Sequence, residues 1–161
     1  MITIETVTPD ADIAAQIVRD YMRDVASRWY ARPATNDEVD QALRDEPYDD
    51  LQGRTGMLLV AVEDELPLGC SGVRFNGDVA ELTKVFTLLA HRGRGIGSQL
   101  LHAVEVACRE RDITTLRLDT RAALTEACAM YERIGFVRVD AFNDEPYSDR
   151  WYSKTLNESV R

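Results

Sequence analysis

A short segment rich in glycine and arginine has residue types and spacing suited to binding an anion. It consists of Arg92, Gly93, Arg94, Gly95, Ile96, Gly97 and Ser98. Because glycine has no Cβ atom, the backbone N–H groups of such a segment can approach a ligand closely. A helix that begins here adds unpaired N–H groups and the positive end of its dipole, and the arginines can add charge-assisted hydrogen bonds. These features predict a binding site for a phosphate, in particular a diphosphate.

The elements on either side of the glycine segment must present it to a ligand. Residues 79–87 are rich in β-branched and apolar side chains and predict a strand. A helix is predicted from about residue 92 to about residue 111, because apolar residues recur there at three- and four-residue spacing. A dinucleotide-binding fingerprint needs a glycine where Ser98 stands, and no P-loop string occurs. On the residues alone, a glycine-rich turn without a ligand remains an alternative.

Hydrophobic periodicity and turn residues predict the remaining elements of an α/β chain. Further strands are predicted at residues 2–7, 57–62, 68–75, 114–120, 136–141 and 150–156, and further helices at about 12–29, 36–43 and 125–133. Asp10 or Asp12 is expected to cap the first helix, and Asn36 the second. The pair at 76–77, Asn-Gly, indicates a hairpin. Gly135 is expected to end the fourth helix.

Composition and charge narrow the class of protein and its partners. The 161 residues, 45% hydrophobic and 29% charged, are expected to form a single domain spanning 1–161. No apolar stretch is long enough to span a bilayer and the N-terminus lacks signal-peptide features, so a cytoplasmic protein without a membrane partner is expected. A net charge of −9 disfavours nucleic acid. Three cysteines without paired spacing and only two histidines argue against a disulfide framework and a metal site.

Two separate motifs resemble those of the GNAT superfamily of N-acetyltransferases. The pattern R-x-x-G-x-G, formed by Arg92, Gly95 and Gly97, is similar to motif A, the loop that holds the pyrophosphate of acetyl-CoA. Residues 118–120, Leu-Asp-Thr, followed by A-x-x-M-Y-x-x-x-G-F over 127–136, resemble motif B. The resemblance implies an α/β (α+β) GNAT fold. Its mixed, twisted sheet of about seven strands would be flanked by about four helices and splayed between strands 4 and 5.

The resemblance implies that acetyl-CoA is the co-substrate and that main-chain atoms hold much of it. Its pantetheine arm would pair with the free edge of the fourth strand, at Val85, Phe86 and Thr87. Its pyrophosphate would contact residues 92–98. Many relatives carry an asparagine near the cofactor where this chain has Leu124.

The same resemblance implies that three side chains are candidates for proton transfer during the reaction. Tyr131 falls where the family supplies the acid that protonates the leaving thiolate. Glu81 is a candidate for the base that removes a proton from the amine, and Asp119 is the second candidate. Alternation along the fourth strand predicts that Glu81, Thr83, Val85 and Thr87 share one face.

Aromatic and polar residues near both ends of the chain are candidates for binding the acceptor. They are Tyr21, Trp29 and Tyr30 on the first helix, and Phe142, Asn143, Tyr147 and Trp151 near the C-terminus. The second group lies in a segment that resembles the C-terminal segment of small-molecule GNAT proteins. An ordinary turn is the alternative, because Asn, Asp and Pro are common turn residues.

The leading hypothesis is direct transfer of an acetyl group from acetyl-CoA to a primary amine of a small molecule. A domain that binds acyl-CoA without catalysis, as a sensor or interaction module, is one alternative. A protein N-terminal or lysine acetyltransferase is another, because fold resemblance does not choose the acceptor. Family members are often dimers, so the resemblance allows a homodimer.

Overall fold

The computed structural model describes residues 1–156, which form one mixed sheet with helices on both faces. The strands are β1 (Thr3–Val7), β2 (Gly56–Glu63), β3 (Leu66–Asn76), β4 (Val79–Thr87), β5 (Thr115–Thr120), β6 (Val137–Val139) and β7 (Arg150–Thr155). The helices are α1 (Asp12–Tyr30), α2 (Asn36–Asp45), α3 (Ile96–Arg109) and α4 (Thr125–Arg133), with a 3₁₀ turn at Leu89–His91. This confirms the predicted order of elements. The last five residues of the predicted domain, 157–161, lie outside the described residues.

The sheet has the strand order β1-β2-β3-β4-β5-β7-β6 and separates two hydrophobic cores. Leu59 and Ala61 of β2 belong to the core that includes α3 and α4. Leu58 and Val60, which alternate with them, belong to the core that includes α1. Both faces of β2 are therefore covered, which explains why its sequence is a continuous apolar run rather than an alternating one.

β4 and β5 are the parallel neighbours in the sheet, and they pair over only three residues each. The pairs run from Val79 with Thr115 to Glu81 with Arg117. Beyond this point β4 continues to Thr87 and β5 to Thr120 without pairing with each other. The predicted splay between strands 4 and 5 is confirmed, and it leaves the second half of β4 with one free edge.

A β-bulge interrupts β4 within its splayed half. On β3, Cys70 pairs with Phe86 and Gly72 with Thr83, so one residue of β3 lies opposite two of β4. Lys84, at the bulge, has a left-handed φ of 55°, a conformation that is uncommon for a residue other than glycine.

The bulge reverses the alternation of side chains along β4. Leu82, before the bulge, and Val85, within it, both pack against the core on the α3 face. Val85 therefore lies on the opposite face from Glu81 and Thr83. The prediction that Glu81, Thr83, Val85 and Thr87 share one face is wrong, because a period of two holds only where no residue is inserted.

The starts of three helices also differ from the prediction. Ala11, and neither Asp10 nor Asp12, is the N-cap of α1, which has no side-chain cap. Thr35 rather than Asn36 caps α2, in a reciprocal arrangement with Glu38. α3 begins at Ile96 rather than near residue 92, because Gly93 and Gly95 have φ values of 82° and 77° that no α-helix accommodates.

Candidate active site

A cleft of about 770 Å³ opens where β4 and β5 diverge. Its walls come from the free half of β4, the end of β5, the glycine segment and α1. α2, α4 and the loop at residues 143–148 also contribute to the lining. Every predicted cofactor and catalytic residue except Arg94 lines this cleft. These residues are Glu81, Val85, Phe86, Thr87, Arg92, Gly93, Gly95, Ile96, Gly97, Ser98, Asp119 and Tyr131.

The glycine segment presents backbone N–H groups, those of residues 93–98, that have no partner within residues 1–156, whereas the N–H of Arg92 donates to the carbonyl of Leu89 over 3.3 Å. Gly95 is the N-cap of α3 and provides no side-chain cap. The first N–H of the helix to find an acceptor is that of Gln99, which donates to the carbonyl of Gly95 over 3.0 Å. By contrast, the start of α2 is satisfied by Thr35. An uncapped start with a dipole favours an anion at this place.

Two glycines of this segment leave open space, whereas the third permits close packing. A Cβ atom on Gly93 or Gly95 would meet nothing within 4 Å. A Cβ atom on Gly97 would lie 2.6 Å from the Sδ atom of Met130 on α4. The first two glycines thus keep a volume clear beside the N–H groups, and Gly97 lets α3 approach α4.

Both arginines that were predicted to contact the phosphate already have hydrogen-bond or ion-pair partners within the protein. Arg92 donates through Nε to the carbonyl of Thr87 over 3.0 Å, and its guanidinium lies 3.9 Å from carboxylate oxygens of Asp24 and Glu126. Arg94 forms an ion pair with Glu63 at 2.8 Å. The backbone N–H groups, rather than these guanidinium groups, are the donors left for a diphosphate.

Tyr131 lies on α4 beside the cleft, in a stack of aromatic rings. Its ring centroid is 5.7 Å from that of Phe136 and 5.9 Å from that of Tyr152. The residue is only 5% exposed, and no hydrogen bond from the described residues engages its hydroxyl. Burial, with smaller contributions from Cys128 and Tyr152, raises the pKa of Tyr131 well above its ordinary value of 10.0. The phenol therefore stays protonated and able to donate.

Glu81 stands at the point where β4 and β5 separate. Its Oε1 atom accepts hydrogen bonds from Nε and Nη2 of Arg117, at 3.0 and 2.7 Å. The guanidinium carbon of Arg117 lies 4.1 Å from the ring centroid of Phe142. Phe142 thus supports the arginine that orients Glu81, and the Oε2 atom is left without a hydrogen bond to the described residues.

Asp119 has both carboxylate oxygens occupied by the C-terminal loop. Asn143 donates to Oδ2 over 2.9 Å, and the hydroxyl of Ser148 donates to Oδ1 over 2.6 Å. Trp151 in turn donates through its indole N–H to the side-chain oxygen of Asn143 over 2.9 Å. The network fixes the loop against the end of β5.

The structure brings five of the seven predicted acceptor residues to the cleft, namely Tyr21, Trp29, Tyr30, Asn143 and Tyr147. Trp29 and Tyr147 meet edge to face with ring centroids 5.0 Å apart, which joins the end of α1 to the loop across the cleft. Phe142 and Trp151 are not among the lining residues. Their contacts instead hold Arg117 and Asn143 in place.

Several charged residues of the cleft were not predicted from the sequence, and two of them have shifted pKa values and no mutual ion pair. Lys84 and Glu46 both line it, and no ion pair within 4.0 Å joins them. Burial lowers the pKa of Lys84, and burial raises the pKa of Glu46. Lys84 could have been singled out from the sequence, because it is the single charged residue among positions 82–86 of an apolar strand.

The splayed mixed sheet, with a glycine-rich segment at an uncapped helix start, is the architecture of an acetyl-CoA-dependent N-acetyltransferase. The sequence profile of the Acetyltransferase (GNAT) family matches residues 19–136. The chain therefore belongs to this family, and acetyl-CoA is its co-substrate. Residues 1–156 contain no group of three or more His, Cys, Asp or Glu that could hold a metal ion. None of the helices in the same part of the chain is long and apolar enough to cross a membrane.

Three relatives illustrate how far the similarity extends. YjgM of Escherichia coli K12, an uncharacterised N-acetyltransferase, is 44% identical over 64 residues, which is 39% of this chain and only 38% of that protein. PaiA N-acetyltransferase from Thermoplasma acidophilum, solved in complex with coenzyme A, superimposes with a TM-score of 0.77 at 18% identity, over 96% of this chain and 99% of that one. The ribosomal-protein-S18-alanine N-acetyltransferase of Escherichia coli has a TM-score of 0.65 at 17% identity, over 99% and 97% of the two chains.

Proposed function

We propose that this enzyme transfers the acetyl group of acetyl-CoA directly to a primary amine of a small molecule. The observation that supports a small acceptor is the contact between Trp29 and Tyr147, at 5.0 Å, which bridges the acceptor side of the cleft. The guanidinium of Arg121 lies 4.8 Å from the ring centroid of Trp29 and extends this bridge towards α4. A bridged cleft favours a compact acceptor over an extended polypeptide. A cytoplasmic location is part of the proposal.

In this proposal the co-substrate is held mainly by main-chain atoms. The N–H groups of residues 93–98, which are free of protein partners, contact the pyrophosphate. The free edge of β4 at Val85–Thr87 pairs with the pantetheine arm, and an N–H of this edge stabilises the oxyanion as the thioester carbonyl is attacked. The open volume beside Gly93 and Gly95 supports this assignment, because it lies at an uncapped helix start.

The remaining steps are proton transfers at two side chains. The acceptor amine reaches the cleft as an ammonium group and must lose a proton before it attacks, and Glu81 takes this proton through water at Oε2. The new N–C bond forms first, and the C–S bond of the resulting oxyanion adduct then breaks as Tyr131 donates its hydroxyl proton to the leaving sulfur. The nitrogen loses its second proton as the amide forms, and this proton returns through water to the phenolate of Tyr131. Tyr131 suits this role because burial keeps its phenol protonated.

Direct transfer is favoured over an acetyl-cysteine intermediate. All three cysteines are buried and free. Burial raises the pKa of Cys70 to about 12 and that of Cys108 to about 11. A thiol is a nucleophile only as the thiolate, so neither residue is prepared to accept an acetyl group. Cys128 uses its thiol in a 3.5 Å contact with the carbonyl of Arg121.

The experiment that tests the proposal is release of CoA thiol from acetyl-CoA in the presence of two acceptor sets. One set contains small primary amines and amino acids, and the other contains peptides with free N-termini or internal lysines. We expect release with members of the first set only. Binding of CoA without release from any acceptor would favour the sensor alternative, and release with peptides alone would favour a protein acetyltransferase. Size-exclusion chromatography of the same sample tests for a homodimer.

Replacing Asp119 with asparagine distinguishes a base from a residue that anchors the loop. Because both oxygens of Asp119 already accept hydrogen bonds from the loop, we expect Asp119→Asn to raise the KM of the acceptor about tenfold or more, the effect of one lost hydrogen bond to a charged group, with little change in kcat. Ser148→Ala removes one of the same hydrogen bonds and is expected to behave alike. If Asp119→Asn alone lowers kcat by about a hundredfold and removes the acidic limb of the pH profile, Asp119 is the base instead of Glu81.

A further inference from the structure

Lys84 is a buried cation on the acceptor side of the cleft. It is 3% exposed, yet it is among the residues that line the cleft. The bulge in β4 places it there, on the face of the sheet that α1 covers. Its Nζ atom lies 5.8 Å from the ring centroids of both Tyr21 and Tyr48. The two rings provide partial compensation for the buried charge.

The ammonium group of Lys84 has no hydrogen bond or ion pair to any of residues 1–156. An ammonium carries three donors, and a buried charge without a partner is costly. Two other cations of the cleft, Arg74 and Arg28, differ in this respect, and Arg121, which lies over the ring of Trp29, is only partly buried. Arg74 is paired with Asp50 at 2.7 Å, and Arg28 with Glu126. Lys84 is therefore the buried cation of this cleft that is available to a ligand.

The groups around Lys84 restrict the anion that it can bind. Glu46, Glu81 and Asp119 line the same cleft, and a cluster of carboxylates attracts an ammonium ion but repels a dianion such as a phosphomonoester. One ammonium group matches the charge of one carboxylate. Glu46 lies more than 4.0 Å away, since no ion pair forms, and this leaves the donors of Lys84 free.

We propose that Lys84 binds a carboxylate group on the acceptor, so that the substrates are small amines that also carry a carboxylate, such as amino acids. This inference rests on the proposed acetyl transfer to a small amine. The carboxylate of the acceptor contacts the ammonium group at the floor of the cleft. Its amine is then directed towards Glu81 and the free edge of β4, where the acetyl group is expected. Lys84 acts as a specificity-determining residue and takes no part in proton transfer.

The test compares matched acceptors that differ only in the carboxylate. γ-Aminobutyrate is paired with butylamine, and each L-amino acid with its amide, in the CoA-release assay. We expect kcat/KM to be at least about tenfold higher for the carboxylate member of the best pair, the effect of one charge-assisted hydrogen bond in a buried site. Phosphoethanolamine is included as a dianionic acceptor and is expected to react poorly.

Lys84→Met tests whether this residue provides the preference. Methionine is unbranched and of similar length, so it adds little backbone strain beyond that already present at φ 55°. We expect the ratio of kcat/KM values within a pair to fall to about one, an approximately tenfold change. Arg74→Met is the matched control, because it removes a cation that already has a partner, and the ratio should persist. Calorimetric binding of CoA verifies that each variant is folded.

The outcomes separate this inference from the function on which it rests. If CoA is released but butylamine and amino acid amides react as well as the acids, or if the preference survives in Lys84→Met, the inference is wrong and acetyl transfer stands. An equal loss of activity towards both members of each pair in Lys84→Met would also overturn it, because Lys84 would then act on the chemistry. If no acceptor releases CoA, the proposed function fails, and this inference fails with it.

Discussion

Gly95→Glu is expected to reduce the affinity for coenzyme A by about a hundredfold or more, which corresponds to about 2.7 kcal/mol. A Cβ atom on Gly95 points into open space beside the uncapped N–H groups of α3. A glutamate there would place its carboxylate where the pyrophosphate is proposed to bind. It would satisfy the N–H groups itself and repel the ligand. Isothermal titration calorimetry with CoA measures the change.

The control for Gly95→Glu must introduce the same backbone strain at a glycine that lies away from the proposed diphosphate site. Gly77, in the turn between β3 and β4, has a φ of 64°, close to the 77° of Gly95, and a Cβ atom there also meets nothing within 4 Å. Gly77→Glu should therefore carry the same strain and charge but bind CoA normally. Gly95→Ala supplies the strain without the charge and should lose much less affinity. An affinity of Gly95→Glu within about threefold of wild type would contradict the proposed diphosphate site.

Tyr131→Phe is expected to lower kcat by about a hundredfold while the affinity for CoA stays the same. This is the typical contribution of one positioned acid or base. The ring is held between Phe136 and Tyr152, so the substitution removes the hydroxyl and leaves the packing. Because burial raises the pKa of Tyr131, the wild-type phenol keeps its proton as the pH rises to its ordinary value of 10.0. The wild-type kcat should therefore show no decline from ionisation of Tyr131 below that pH.

Tyr152→Phe is the matched control for Tyr131→Phe. Tyr152 belongs to the same aromatic stack, but its hydroxyl donates to Glu132 at 2.5 Å and it does not line the cleft. Its loss should lower the free energy of unfolding by about 1 kcal/mol and leave kcat near wild type. An unchanged kcat in Tyr131→Phe would mean that the thiolate leaves without an acid. Equal decreases in kcat in both variants would indicate a structural effect.

The strand–loop–helix unit that carries the cofactor site could be predicted from the sequence because its signals are local. The glycines have positive φ values where the segment turns into α3, and β4 was placed at residues 79–87, as observed. The first residue of α3 was missed although the apolar periodicity begins at Ile96, because the glycine segment before it was counted as the first turn of the helix. The caps of α1 and α2 were missed because adjacent residues compete for the same position.

The acceptor side was harder to predict because its geometry depends on long-range contacts. The bulge at Lys84 requires knowledge of how β4 pairs with β3, which no residue of β4 reveals alone. Asp119 was a candidate base, but its partners Asn143 and Ser148 lie 24 and 29 residues further along the chain. Trp151 was expected in the acceptor pocket for its size and aromatic character, whereas its indole N–H supports Asn143.

The extra residue in β4 decides which face of the sheet Lys84 occupies. Deleting one residue there would remove the bulge and leave Phe86 three residues after Leu82, so its ring would still face Tyr21, whose ring centroid lies 6.0 Å away. Loss of Lys84 would take the buried cation from the cleft and keep the apolar side chains on their faces, whereas loss of Val85 would turn Lys84 into the apolar core on the α3 face. Grafting this strand between homologues should therefore carry the cation to the cleft only when the bulge is transferred with it.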